Sequence, residues 1–168
     1  VEIDFNSTID SNSPGNGWLT AQSGSGATNF KGDIGNTTPI GNLLVFPNQT
    51  NLYGNITTAD GNVEFDGPVT LEKNVTINTS NGQAFNVPAG NIKFESTIDA
   101  AVEGVQSLTL EAGGEGCIES CGGGYGDPSP GTVTLMGAIG GQNALNTLLI
   151  RGGDISLANV TTTGSQYY

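Results

Sequence analysis

FNSTID at residues 5–10 and FESTID at residues 94–99 are nearly the same six letters, and they decide how this chain is interpreted. Both are copies of a looser pattern: a large apolar residue, any residue, Gly or Ser, any residue, then Ile or Val. Five copies occur, running from Phe5 to Ile9, Phe30 to Ile34, Phe65 to Val69, Phe94 to Ile98 and Leu135 to Ile139. A phrase that returns at unequal spacing indicates internal repeats with loops of different length.

The residues around this phrase also recur. Short lead-ins precede it (GATNF, GNVEF, GNIKF and GTVTL), and a second apolar segment follows it at 39–45, 105–110 and 144–150. GDIGNTTPIGNLLV at 32–45 aligns without a gap with GAIGGQNALNTLLI at 137–150, and a third segment type recurs as GNITT at 54–58 and ANVTTTG at 158–164. Each unit is therefore predicted to be a series of short strands joined by turns.

Alternation within the phrase suggests how the units pack. In one strand, Phe65, Gly67 and Val69 would share a face, because alternate side chains of a strand point to opposite sides. One such unit cannot bury its apolar face alone, whereas stacked units build a continuous core. We therefore predict a single all-β solenoid domain over 1–168, with the last apolar residue of each phrase in one common column: Ile9, Ile34, Val69, Ile98 and Ile139.

Composition narrows the function classes. The chain has 168 residues, 27 of them Gly, and a net charge of −12 with four basic residues, Lys31, Lys73, Lys93 and Arg151. Nucleic-acid binding requires clusters of Lys and Arg, so no nucleic-acid partner is expected. No apolar run is long enough to span a bilayer, so no membrane insertion is expected either.

A Gly-rich insertion at 112–131 separates the last two units and carries both cysteines. Cys117 and Cys121 are expected to form a local disulfide, which implies an oxidising compartment, while free thiols are the alternative. A zinc site is disfavoured because the chain has no His. No cofactor is predicted; calcium at residues 122–127, an imperfect Gly-Gly-x-Gly-x-Asp segment, is the alternative.

The segments 5–45 and 102–150 resemble the β-strand repeats of very large secreted bacterial exoproteins, the filamentous-haemagglutinin-like and autotransporter-type adhesins. The resemblance implies a right-handed parallel β-helix, here of irregular repeat length, displayed outside the cell at its surface. A β-sandwich of short strands is the alternative fold. The implied function is a stiff spacer or self-assembling filament subunit of a surface fibre or adhesin. Its partners would be further copies of itself, adjoining repeats of a longer chain, or glycans of a host or neighbouring cell.

Catalysis is not predicted. Histidine, the commonest general base, is absent, and Asp33, Asp66 and Asp99 occupy different places in their repeat units. The alternative function is a polysaccharide-binding or polysaccharide-degrading β-helix, which would use carboxylates of this kind.

Overall fold

Short β-strands form all the regular structure in the part of the chain that the computed structural model describes, residues 1–81, 89–113 and 130–168. They are β1 (Ile3–Phe5), β2 (Leu19–Ala21), β3 (Ala27–Phe30), β4 (Leu43–Val45), β5 (Gln49–Leu52), β6 (Ile56–Thr57), β7 (Val63–Phe65), β8 (Val69–Leu71), β9 (Val75–Asn78), β10 (Ile92–Phe94), β11 (Ile98–Ala100), β12 (Leu108–Ala112), β13 (Val133–Leu135), β14 (Leu148–Gly152), β15 (Ile155–Leu157) and β16 (Gln166–Tyr167). The prediction of an all-β protein is confirmed.

The strands form three parallel sheets. Sheet A has the order β1-β3-β5-β8-β11, sheet B the order β16-β14-β12-β9-β6, and sheet C the order β15-β13-β10-β7-β4-β2. Every pairing between these strands is parallel. Three parallel sheets differ from the two packed antiparallel sheets of a typical β-sandwich.

The chain visits the sheets in a fixed cycle. From β7 to β12 it passes through sheets C, A, B, C, A and B in turn, and each strand pairs with the strand one cycle later. We call one such cycle a rung. Rung length varies: the paired residues Thr50 and Val69 are 19 positions apart, and Ile98 and Ile139 are 41 positions apart.

Apolar side chains of all three sheets fill the interior between them. On sheet C, Phe65, Phe94 and Leu135 are paired in register and buried, and the rings of Phe65 and Phe94 stack with centroids 4.9 Å apart. Phe5 and Phe30 stack in the same way on sheet A. The inward positions of neighbouring rungs therefore form continuous columns, which is how strands of three residues obtain a shared core.

The prediction of one common column for the last residue of the phrase is wrong. Ile9 and Ile34 pair with each other and continue to Ile56, whereas Val69, Ile98 and Ile139 form a second column on sheet A. Copies of the phrase therefore occupy two different positions around the rung.

Both positions are corners between sheets. Phe65 ends β7 in sheet C and Val69 begins β8 in sheet A, so the phrase does not lie in one strand as predicted. Gly67 lies at the corner, where a Cβ would overlap the carbonyl oxygen of Pro47 on the preceding rung. Phe65, Gly67 and Val69 are all buried. The inward alternation thus continues around the corner although the strand does not.

A three-rung unit occurs twice. The first copy comprises 5–10, 32–40 and 54–59 at the corner from sheet A to sheet B, and the second comprises 94–99, 137–145 and 158–163 at the corner from sheet C to sheet A. Gly35 and Gly140 have φ angles of 70° and 66°, and each donates its N–H to a phrase carbonyl, of Ile9 and Ile98 respectively, at 2.7 Å. The same local structure is thus used on two faces of the fold.

Candidate functional surfaces

A polar ladder follows the corner from sheet B to sheet C. The Oδ1 atom of Asn42 accepts the backbone N–H of Asn62 at 2.7 Å, Asn62 accepts that of Asn91 at 2.8 Å, and Asn91 accepts that of Thr132 at 2.8 Å. A glycine precedes each of these residues, and a Cβ on Gly61 would overlap the carbonyl oxygen of Gly41. Because the side chains satisfy backbone donors of the next rung, this corner has a structural role.

Asp10 and Asp99, which directly follow two copies of the phrase, each cap the loop of the following rung. Asp10 Oδ1 accepts the backbone N–H groups of Thr37 at 2.8 Å and Thr38 at 3.0 Å. Asp99 Oδ1 accepts those of Gln142 at 2.8 Å and Asn143 at 3.2 Å. A carboxylate that accepts two backbone donors fixes the loop above it. This contact gives the last letter of FNSTID and FESTID a physical role.

Polar side chains of neighbouring strands are also connected on the outer surface of sheet A. The amide nitrogen of Asn29 donates to Glu2 Oε1 at 2.6 Å and to Asp4 Oδ1 at 2.8 Å, and Asn51 donates to Asn29 Oδ1 at 2.6 Å. The hydrogen bond from Asn29, followed by that from Lys31, lowers the pKa of Asp4 below its ordinary value. These contacts bind the first rungs to one another.

Sheet C carries an acidic cluster. Carboxylate oxygens of Glu64, Asp66 and Glu95 lie within 4.8 Å of one another. Lys93 Nζ lies 3.4 Å from Glu64 Oε1 and also pairs with Glu95, and these two carboxylates, Glu95 first, raise the pKa of Lys93. The lysine ammonium thus already pairs with two of the three carboxylates that a cation would need. Sequence reasoning missed this cluster, although Asp66 and Glu95 occupy the same place in their phrases.

A polar groove lies on the outer surface of sheet A, with a cavity volume of about 570 Å³. Three strands of sheet A line it with Gln49 of β5, Thr70 of β8 and Asp99 of β11, and loops contribute Val102 and Gln142. Concave sites of this size are typical of ligand-binding pockets. It is the concave site that we consider for ligand binding.

The core-repeat residues lie at or near the interior. Eight are buried and two, Phe5 and Ile9, are partly buried; the buried ones are Phe30, Ile34, Phe65, Val69, Phe94, Ile98, Leu135 and Ile139. Cys117, Cys121 and the calcium candidate at 122–127 lie outside the described residues, as does most of the predicted insertion at 112–131.

The three aspartates considered for catalysis are not brought together. Asp33 accepts the backbone N–H of Asn55 at 2.7 Å, Asp66 belongs to the acidic cluster of sheet C, and Asp99 caps the loop at Gln142. Each carboxylate thus has a different environment.

Among the described residues there is no helix that is long and apolar enough to cross a membrane. Comparison of the chain with protein families, with curated proteins and with solved structures finds no match.

Proposed function

We propose that this chain is a right-handed parallel β-helix that serves as a structural segment of a secreted bacterial surface fibre or adhesin, without catalysis. The observation that carries the proposal is the continuity of the inward columns and corner ladders from rung to rung. The right-handed form is favoured because nearly all crossovers between parallel strands have that hand.

The geometry of the stack supports a mechanical role. The sheet A column contains seven levels, namely Ile3, Thr28, Thr50, Val69, Ile98, Ile139 and Val160. At about 4.8 Å between neighbouring strands, these levels rise by roughly 29 Å. Each rung bonds to its neighbours through backbone and side-chain contacts on several faces, so bending the axis would strain parallel sheets on every side.

Two arrangements would use such a segment: a stiff spacer joined to adjoining repeats of a longer chain, or a filament subunit that stacks on further copies of itself. Both extend the same columns along one axis, because a parallel sheet can accept another parallel strand at its edge. We propose the extracellular cell surface as the location in both cases.

Immunogold electron microscopy with antibodies against the chain tests this proposal on the producing cells. We expect gold particles on fibres or projections outside the cell wall. Labelling confined to the cytoplasm would refute a surface role. Negative-stain images of the concentrated protein then separate the two arrangements, since a filament subunit forms rods one chain wide and a spacer stays monodisperse.

A further inference from the structure

A loop four residues longer than its counterpart builds one side of the groove on sheet A. Residues 72–74 join β8 to β9, whereas residues 101–107 join β11 to β12 at the same corner one rung later. The longer loop places Val102 at the groove, where it is 57% exposed. The loop containing Gln142 and Asn143 of the next rung contributes a second side.

Both loops are held in place by internal hydrogen bonds. The side chain of Gln106 is buried, and its Oε1 atom accepts the backbone N–H of Val102 at 3.0 Å. Gly104 adopts a φ of 71° and donates its N–H to the carbonyl oxygen of Ala144 at 2.8 Å. Asp99 fixes the other loop through its two backbone hydrogen bonds. The groove is therefore preformed, which lowers the entropy lost on binding a ligand.

The chemistry of the groove favours a ligand rich in hydroxyl groups. Within the described part of the chain, the side chains of Glu72, Thr97, Gln142 and Asn143 accept or donate no hydrogen bond to another residue, and all four line the groove. Together they offer amide and hydroxyl donors as well as carboxylate and carbonyl acceptors.

Charge and apolar contact restrict the ligand further. Of the described residues that line the groove, none is Lys or Arg, whereas Glu72 and Asp99 are acidic, so phosphate, sulfate and uronate groups would be repelled. Pro68 and Val102 add apolar surface against which the C–H face of a sugar ring can pack. We propose that this groove binds an uncharged oligosaccharide. This site adds ligand binding to the structural role and does not depend on that role.

The duplicated unit supplies a matched control. Thr37 and Thr38 stand in the first copy where Gln142 and Asn143 stand in the second, with the same backbone hydrogen bonds to an aspartate. The first copy lies at a different corner, from sheet A to sheet B, and neither Thr37 nor Thr38 lines the groove.

Isothermal titration calorimetry on the 168-residue chain tests the proposal. The probes are maltohexaose, cellohexaose, laminarihexaose and mannohexaose, each up to about 10 mM, which covers the weak millimolar range. A heparin hexasaccharide and calcium chloride alone serve as charged probes. We expect at least one neutral hexasaccharide to bind and the heparin fragment to give no heat of binding.

Two variants then locate the binding site. The double substitution Gln142→Ala with Asn143→Ala removes two amide side chains and is expected to weaken binding about tenfold or more, whereas Thr37→Ala with Thr38→Ala leaves it unchanged. Glu72→Ala, on a different rung, gives a second measurement if the double variant unfolds, and it should also weaken binding. Absence of binding by all neutral probes, binding of calcium or heparin only, or equal affinity in the groove variants would each overturn the proposal.

Discussion

Replacing Phe94 by Ala tests the stacking of neighbouring rungs where it is tightest. Phe94 is 1% exposed, and it lies in register between Phe65 of the preceding rung and Leu135 of the following one. A buried Phe→Ala change in a core that cannot collapse costs about 3–5 kcal/mol. Since small domains unfold with a free energy of about 5–15 kcal/mol, this variant would lose a large share of its stability.

A double-mutant cycle separates the stacking of the rings from simple loss of volume. The Phe65 and Phe94 rings are 4.9 Å apart with an interplanar angle of 19°, although the two residues are 29 positions apart in the chain. Their coupling energy, from Phe65→Ala, Phe94→Ala and the double variant, is expected to be about 0.5–1.5 kcal/mol. Only contact between successive rungs provides such a coupling.

Guanidinium chloride unfolding followed by circular dichroism measures all four proteins of the cycle. Met136, 58% exposed and one position beyond Leu135 of the same column, supplies the control, because Met136→Ala should change stability by no more than about 0.5 kcal/mol. A loss below about 1 kcal/mol for Phe94→Ala, together with zero coupling to Phe65, would refute the account of the core.

Three further predictions concern backbone approach, a buried hydroxyl and pH. Gly61→Ala places a methyl group against the carbonyl oxygen of Gly41, so it should lower the free energy of unfolding by about 3 kcal/mol or more. Gly141→Ala should cost much less, because Gly141 is exposed and its new methyl group would meet only the Cβ of Ala138, at 3.3 Å. Thr50→Val removes a fully buried hydroxyl that has no hydrogen-bond partner among the described residues, so the melting temperature should rise. A fall would contradict the inward placement of this side chain. The lowered pKa of Asp4 means that its contribution to stability is present above about pH 4 and is lost as the pH falls through its folded-state pKa. Asp4→Asn should therefore reduce the slope of the free energy of unfolding against pH below about pH 4. An unchanged slope would count against the contact of Asp4 with Asn29 and Lys31.

Repetition in the sequence was sufficient to predict an all-β stack because each rung needs apolar residues at equivalent places. The prediction that Phe65, Gly67 and Val69 lie on the same side of the chain is confirmed, since all three are buried. Their assignment to one strand was wrong, because alternation of inward and outward side chains continues unchanged through a corner. A pattern of period two therefore cannot show where one sheet ends and the next begins.

The division of the phrase's last residues into two columns could also not be predicted from the sequence. Ile34 and Ile139 occupy the same place in the aligned segments 32–45 and 137–150, yet one pairs with Ile9 and Ile56 and the other with Ile98 and Val160. The corner from sheet A to B and the corner from sheet C to A accept the same local sequence. Which corner a copy occupies depends on how many strands precede it, and unequal loop lengths conceal that number.

The groove on sheet A could not be predicted because its residues come from separate rungs. Gln49, Thr70, Asp99 and Gln142 line it together although 93 positions separate the first from the last. A partial signal existed in the loop at 101–107, which is longer than the loop at 72–74 between corresponding strands. The two carboxylate caps had a clearer signal, since an Asp follows the phrase in both FNSTID and FESTID.

Scalar couplings across hydrogen bonds, measured by NMR on protein labelled with ¹⁵N and ¹³C, test the stacking of rungs most directly. On sheet C, the amide nitrogens of Val63, Ile92 and Val133 lie 2.9 Å from the carbonyl oxygens of Asn91, Thr132 and Asp154 respectively. We predict a coupling for each of these three pairs, because each N–H donates to the rung that follows. Couplings that instead join neighbouring segments as antiparallel hairpins would contradict the stacked arrangement.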